Sequence, residues 1–103
     1  MIRIIMVCAA GMSTSILVNN MRKLADPDDI IRAYPYSELE RHVDDCDVIL
    51  VSPQIRFQFD MINEMATLYG KKAALMDRKA YGQMDGEEML RLAHEITDNQ
   101  VFV

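Results

Sequence analysis

The sequence predicts an α/β domain, a four-stranded parallel sheet with helices on both faces in an open three-layer sandwich. Four short apolar runs at 2–7, 30–35, 48–51 and 72–76 alternate with four segments that read as helices. Strands that alternate with helices imply crossover connections and parallel pairing. Two of the runs, Ile2-Arg3-Ile4-Ile5-Met6-Val7 and Val48-Ile49-Leu50-Val51, are apolar nearly throughout, as strands covered on both faces are. With 103 residues, half of them hydrophobic, the chain is one domain spanning 1–103 with enough apolar surface for a real core. The expected strand order is 2-1-3-4.

The first strand runs to Val7 and feeds straight into Cys8. A helix follows from about Ser13 to Ala25, with Leu17, Val18, Met21, Leu24 and Ala25 on one face. Asp26-Pro27-Asp28-Asp29 ends it. Ile30-Ile31-Arg32-Ala33-Tyr34-Pro35 is a second strand whose polar interruption suits a sheet edge. Ser37-Glu38-Leu39-Glu40 matches a capping box and starts a short helix to about Val43. After the third strand, Ser52 and Pro53 signal a helix start. That helix is expected to reach Leu68 with Phe57, Met61, Met65 and Leu68 inward, and Gly70 to end it. Residues 72–76 form the fourth strand and 77–84 a loop holding Tyr81-Gly82. The last helix starts at Asp85, which reads as its cap, with Met89, Leu92, Ala93 and Ile96 inward. The apolar tail Asn99-Gln100-Val101-Phe102-Val103 fits no element.

Bulk properties exclude several classes. The net charge is −5 and the basic residues form no stripe, so nucleic acid is not an expected partner. No run of 18 apolar residues exists to span a membrane, and no secretory signal pattern opens the chain; the expected location is the cytoplasm. Cys8 and Cys46 form no C-x-x-C motif, and His42 and His94 do not fall at ligand spacing with them. No metal site and no cofactor are expected, and Cys46 reads as structural.

The chemistry concentrates in Cys8-Ala9-Ala10-Gly11-Met12-Ser13-Thr14-Ser15. In a parallel α/β sheet, ligands bind at the carboxyl ends of the strands, where Cys8 stands. The peptide N–H groups of a turn and of a first helical turn lack internal partners and favour an anion. Gly11 permits a tight turn, Ala9 and Ala10 let the backbone close around a tetrahedral oxyanion, and Ser13, Thr14 and Ser15 offer hydroxyls whose ordinary role is helix capping. Three readings of Cys8 stay open on these residues. It is a buried structural cysteine, the nucleophile of a phosphatase-like or arsenate-reductase-like loop, or a phosphoryl carrier. The second class uses C-x5-R, but position six after Cys8 is Thr14 and the loop contains no arginine. Without a guanidinium clamp, hydrolysis loses its main stabiliser of transition-state charge. The loop is better suited to holding a phosphoryl group on sulfur than to hydrolysing it.

The same stretch, continued by Ile16-Leu17-Val18, resembles the phosphorylation loop of the IIB component of bacterial sugar phosphotransferase systems, lactose/cellobiose (diacetylchitobiose) type. Ser52-Pro53-Gln54-Ile55 and Tyr81-Gly82-x-Met84-Asp85-Gly86 match as well, and the resemblance spans the chain in order as far as Asp98. Ser52 stands where the family often has glycine, and Met84 where valine is common. The resemblance implies a phosphotransferase subunit. Cys8 would take a phosphoryl group from a phosphohistidine on a IIA partner, with residues 9–15 binding the phosphate. It would pass the group to a sugar, such as the β-linked disaccharides cellobiose or chitobiose, held by a membrane IIC partner. That places the protein in the cytoplasm, peripherally associated with the membrane through IIC. Gln54, Arg56 and Tyr81 are the candidates for partner contact. A IIB-like regulatory module modified at Cys8 is the remaining alternative.

Overall fold

The computed structural model describes residues 1–9 and 13–98, with the backbone alone at Ser13. Ala10, Gly11 and Met12 of the cysteine loop, and the 99–103 tail, lie outside the described residues. In chain order the elements are β1 (Arg3–Cys8), α1 (Ser13–Leu24), β2 (Ile30–Pro35), α2 (Leu39–His42), β3 (Val48–Val51), α3 (Phe59–Leu68), β4 (Lys72–Leu75), α4 (Arg78–Gly82) and α5 (Gly86–Asp98). Short 3-10 turns flank α2 and precede α3. The sheet is four-stranded, in the order β2-β1-β3-β4, and every pair is parallel.

Two cores follow from side-chain alternation in the two central strands. Ile4 and Met6 of β1, with Val48 and Leu50 of β3, face α1, α4 and α5 and meet Leu17, Val18, Met21, Tyr81, Met89 and Ala93. Ile5, Val7, Ile49 and Val51 point the other way and meet Leu39, Val43, Ile55, Ile62 and Ala66. Because β1 and β3 are inside on both faces, their sequences lack the polar alternation of a half-exposed strand. Edge strand β2 shows it, with Ile31 buried between the exposed Ile30 and Arg32.

Four local expectations are corrected. The residues at 37–40 form no capping box: the chain is in 3-10 conformation over Tyr36–Glu38, and neither the cap of that turn nor that of α2 makes a side-chain hydrogen bond. The inward residues are Ile55 of the 3-10 segment and Ile62 and Ala66 of α3, with Met65 packed against them as expected, whereas Phe57, Met61 and Leu68 are half or more exposed. The reason is phase. Pro53–Gln58 is a 3-10 segment with a non-helical Ile55 (φ −118°, ψ 30°), and a 3-10 turn advances about 120° per residue rather than about 100°. A periodicity counted from Pro53 is therefore rotated by the time α3 begins. Leu24 at the end of α1 is exposed, while Leu17, Val18 and Met21 are buried. The segment expected as a loop at 77–84 contains α4, capped by Asp77, whose carboxylate accepts from the Ala80 N–H at 2.9 Å.

Other helix ends follow the expected chemistry. Gly70 adopts φ 73°; its N–H donates to Thr67 O at 3.0 Å and that of Lys71 to Ala66 O at 2.7 Å, the paired bonds of a Schellman motif. Asp85 caps α5 by accepting from the Glu88 N–H at 3.1 Å. Cys46 is fully buried and its thiol donates to Val43 O at 3.2 Å; burial pushes its pKa up to about 11, so it stays an inert thiol. Helices α1 and α5 meet backbone to backbone at Gly86, where a Cβ would lie 2.7 Å from Asn20 C and 2.8 Å from Met21 N.

The amino end of the sheet is tied by carboxylates. Asp29 accepts from the N–H groups of Ile2 at 2.9 Å and Asp26 at 3.0 Å, and these bonds hold it below the usual carboxylate range. Burial pushes Asp47 upward, but the hydrogen bonds and charge of Arg3 outweigh that and leave it lowered. Arg3 donates to it from the backbone at 2.8 Å and from the guanidinium at 3.1 Å.

Two predictions follow from these contacts. Gly86→Ala forces apart two backbones that cannot yield as a side-chain tip can, and should cost about 2 kcal/mol in urea unfolding at constant m-value; an unchanged midpoint would refute the close approach. Asp29 and Asp47 have lowered pKa values in the folded state. Their stabilisation is complete above the unfolded carboxylate pKa of about 4 and is lost as pH falls through the folded values. The unfolding free energy should decline below about pH 4, and less steeply in Asp29→Asn. An equal acid slope in the variant would remove Asp29 from this account.

Candidate functional site

At the carboxyl end of the sheet the register brings Pro35 beside Cys8, as the last pair of β1 and β2. On the other side Val7 pairs with Val51, and the Ser52 N–H donates to Val7 O at 2.9 Å. Cys8 therefore ends the central strand between Pro35 and Ser52. Alternation along β1 aims its side chain at the α1/α5 side, with Ile4 and Met6. The residue is 8% exposed, and Sγ lies 4.0 Å from Tyr34 O, to which the thiol donates.

The first turn of α1 adds a second feature. Thr14 is 3% exposed, and its Oγ1 has no hydrogen-bond partner among the described residues. The hydroxyl does not cap its helix. A buried polar atom left unpaired costs free energy, so its retention at the start of α1 points to a ligand rather than to stability. The helix carries no acidic residue in this turn, which leaves the positive end of its dipole uncompensated. Ser15 is exposed, and Ala9 is half-buried against the α2/α3 core.

Of the three residues proposed for partner contact, the structure joins two. Tyr81 is buried in the α1/α5 core, and its hydroxyl donates to Gln54 Oε1 at 3.4 Å. Gln54 is exposed. Its N–H donates to Ser52 Oγ at 3.2 Å, and Ser52 is itself fully buried. Arg56 is exposed and lines a separate open cleft of about 380 Å³ with Leu75, Asp77, Arg78 and Leu92. Ser52, adjacent to Cys8 across the sheet, was read from the sequence only as a helix cap. The expected order 2-1-3-4 already puts the end of β3 beside Cys8, and the observed register agrees.

Among the described residues, the acidic group able to gather around a metal is Asp26, Asp28 and Asp29, with ligand oxygens within 4.8 Å of one another. It lies at the amino end of β2, opposite Cys8, and Asp29 is committed to two backbone N–H groups.

Comparison with known proteins identifies the family of this chain. The model described as "PTS system, Lactose/Cellobiose specific IIB subunit" matches residues 3–92. The chain belongs to this family. It is similar to the oligo-beta-mannoside-specific EIIB component of Bacillus subtilis, at 29% identity over 101 residues, covering 95% of this chain and 98% of that protein. It is similar to the cellobiose-specific EIIB component of Lactococcus lactis subsp. lactis, at 31% identity over 101 residues, covering 90% and 94%. The solution structure of a cellobiose-specific phosphotransferase IIB component from Borrelia burgdorferi superposes with a TM-score of 0.79 at 36% identity, covering 95% of this chain and 93% of that one. A lactose-specific IIB domain from Streptococcus pneumoniae, at 17% identity and a TM-score of 0.80 over 92% of this chain and 96% of that one, shares the fold. No helix among the described residues is long and apolar enough to cross a membrane.

Replacing the Thr14 hydroxyl by a methyl group of the same shape separates stability from ligand binding. Thr14→Val should unfold at the same or a higher urea concentration, with a gain of up to about 1 kcal/mol. A loss of more than about 1 kcal/mol would mean that the hydroxyl has a structural partner.

Proposed function

We propose that this chain is the phosphoryl-carrying IIB subunit of a sugar phosphotransferase system and that Cys8 is its carrier residue. The observation that supports this most is the placement of Cys8. It ends the central strand, on the side of α1, whose first turn holds the buried, unpartnered Thr14 hydroxyl. A nucleophilic sulfur, a helix N-terminus and an unspent hydroxyl together suit a phosphoryl group.

The chemistry balances in two transfers. The Cys8 thiol gives its proton to water, and the thiolate attacks the phosphorus of a phosphohistidine on IIA. The S–P bond forms as the N–P bond breaks, and the imidazole leaves with the bonding pair. In the second transfer a sugar hydroxyl, giving its proton to water as it attacks, forms an O–P bond, the S–P bond breaks, and the thiolate is regenerated. The backbone N–H groups of residues 9–15 and the hydroxyls of Ser13, Thr14 and Ser15 are placed by sequence to stabilise the equatorial oxygens in both steps. No arginine occurs in residues 9–15. That favours transfer over the phosphatase-like and arsenate-reductase-like alternatives, which rely on a guanidinium clamp. A membrane IIC subunit presents the sugar, and the names of the relatives point to a β-linked disaccharide such as cellobiose. The chain then works in the cytoplasm, docking in turn on IIA and on the inner face of IIC.

Incubation with phosphorylated IIA should place one phosphoryl group on the peptide containing Cys8, read by mass spectrometry, and Cys8→Ser should take up none. Phosphoryl uptake elsewhere in the Cys8→Ser protein would sink the assignment. Steady turnover of p-nitrophenyl phosphate by the wild type would favour the phosphatase class instead.

A further inference from the structure

The rim beside Cys8 carries a hydrogen-bonded chain that the carrier chemistry above does not use. It runs from Tyr81 to Gln54 to Ser52. Gln54 is exposed yet held at both ends of its own length. Its backbone N–H donates to the buried Ser52 Oγ, and its side-chain Oε1 accepts from the Tyr81 hydroxyl. Proline fixes the residue before it, and the buried Ile55 anchors the residue after it. A glutamine amide has one oxygen and two N–H donors. With Oε1 taken by Tyr81, the NH2 group is turned away from that contact, and among the described residues it has no acceptor.

The anchors of this chain lie on the side to which Cys8 points. Tyr81 belongs to the core formed by the even-numbered residues of β1 and β3, and Ser52 continues that even-numbered register one step past Val51. Gln54 is two residues beyond Ser52. An outward N–H pair two residues beyond Ser52, which lies across the sheet from Cys8, and lacking an acceptor among the described residues, suits a ligand that only accepts hydrogen bonds. A phosphoryl group, with its oxygens all acceptors, is such a ligand.

We propose that Gln54 donates a side-chain N–H to the phosphoryl group in transit at Cys8, and that Tyr81 and Ser52 are positioning residues that hold the amide in this orientation. The proposal rests on the phosphoryl-carrier reading and adds to it a donor from outside the cysteine loop. It gives Gln54 a part in the transfer step itself rather than in docking. The pinning matters because a free glutamine side chain must be ordered at each turnover, whereas a preorganised donor is already in place.

The test uses the full chain with phosphorylated IIA as donor and measures kcat and KM separately. Gln54→Glu keeps the shape and the acceptor for Tyr81 but replaces the N–H donors by a negative oxygen. It should lower the transfer rate at saturating donor by about tenfold or more, the scale of one lost charge-assisted hydrogen bond, while KM changes little. Gln54→Ala should lower it less. Tyr81→Phe should act through the same donor, so that Tyr81→Phe together with Gln54→Ala is no slower than the slower single variant. In 15N-labelled protein, the Gln54 side-chain NH2 signals should move when Cys8 is phosphorylated. Gln54 is exposed, so thermal melting of its variants should match the wild type and exclude misfolding as the cause. Transfer by Gln54→Glu at the wild-type rate, an effect on KM alone, or fully multiplicative effects of the two single variants would overturn the proposal while leaving Cys8 as carrier. A wild type that takes up no phosphoryl group at Cys8 would overturn the carrier reading, and this inference with it.

Discussion

The arrangement rests on the burial of β1 between two parallel neighbours and two helical layers. Its backbone is paired on both edges, to β2 over Arg3–Cys8 and to β3 as far as Val7. Its side chains enter two separate cores. A strand so placed cannot slip by one residue without exchanging the two cores, so the position at which it ends is defined to within one residue. Cys8 inherits that definition. The order β2-β1-β3-β4 adds a consequence. The chain leaves β1 toward α1 on one face and leaves β3 toward α3 on the other, which opens a crevice at the carboxyl end between them. The thiol sits at that switch point because the topology puts it there.

The protein keeps features that stability alone does not favour. Thr14 buries an unpaired hydroxyl. Met84, a non-glycine residue, adopts φ 53°, a left-handed conformation that costs roughly 1–2 kcal/mol. The compensation is visible: Met84 N–H donates to Tyr81 O at 3.1 Å and Asp85 N–H to Ala80 O at 3.0 Å, and Asn20 Nδ2 donates to Met84 O at 2.9 Å. These bonds end α4 directly after Tyr81 and tie that end to α1. The turn thereby fixes the residue whose hydroxyl holds Gln54. The unsatisfied hydroxyl lies at the start of α1 and the strained Met84 against Asn20 further along that helix, whereas the amino end of the sheet is held by Asp29 and Asp47.

The lateral face of α3 shows how a helix can carry two apolar faces and bury one. Ile62 and Ala66 enter the core, while Phe57, Met61 and Leu68 stay in solvent. Both sets recur at spacings that suit a helix, so hydrophobic pattern does not choose between them. The choice is made upstream, by the kinked 3-10 segment at Pro53–Gln58 that Ser52 and Pro53 begin.

Much of this was legible in the chain itself. Two runs apolar on both parities imply strands covered on both faces, and alternation with helices implies a parallel sheet; the observed sheet has both properties. Cysteine at the end of the first such run was expected at the carboxyl end of the sheet, and it closes β1 there. Gly70 and Asp85 were legible as helix ends with local signals. Tertiary structure alone decided the rest. The inward face of α3 depends on the rotation that a 3-10 turn introduces, and the false capping box on how β2 exits the sheet. The strands beside β1 follow the expected order, but the hydrogen bonds made at their ends, such as Cys8 Sγ to Tyr34 O and Gln54 N–H to Ser52 Oγ, belong to the folded chain. Ser52, Gln54 and Tyr81 are brought together by contacts spanning 27 residues between Gln54 and Tyr81. Periodicity and capping are properties of a few adjacent residues. Pairing across the sheet belongs to the folded chain, and the surroundings of Cys8 are made by it.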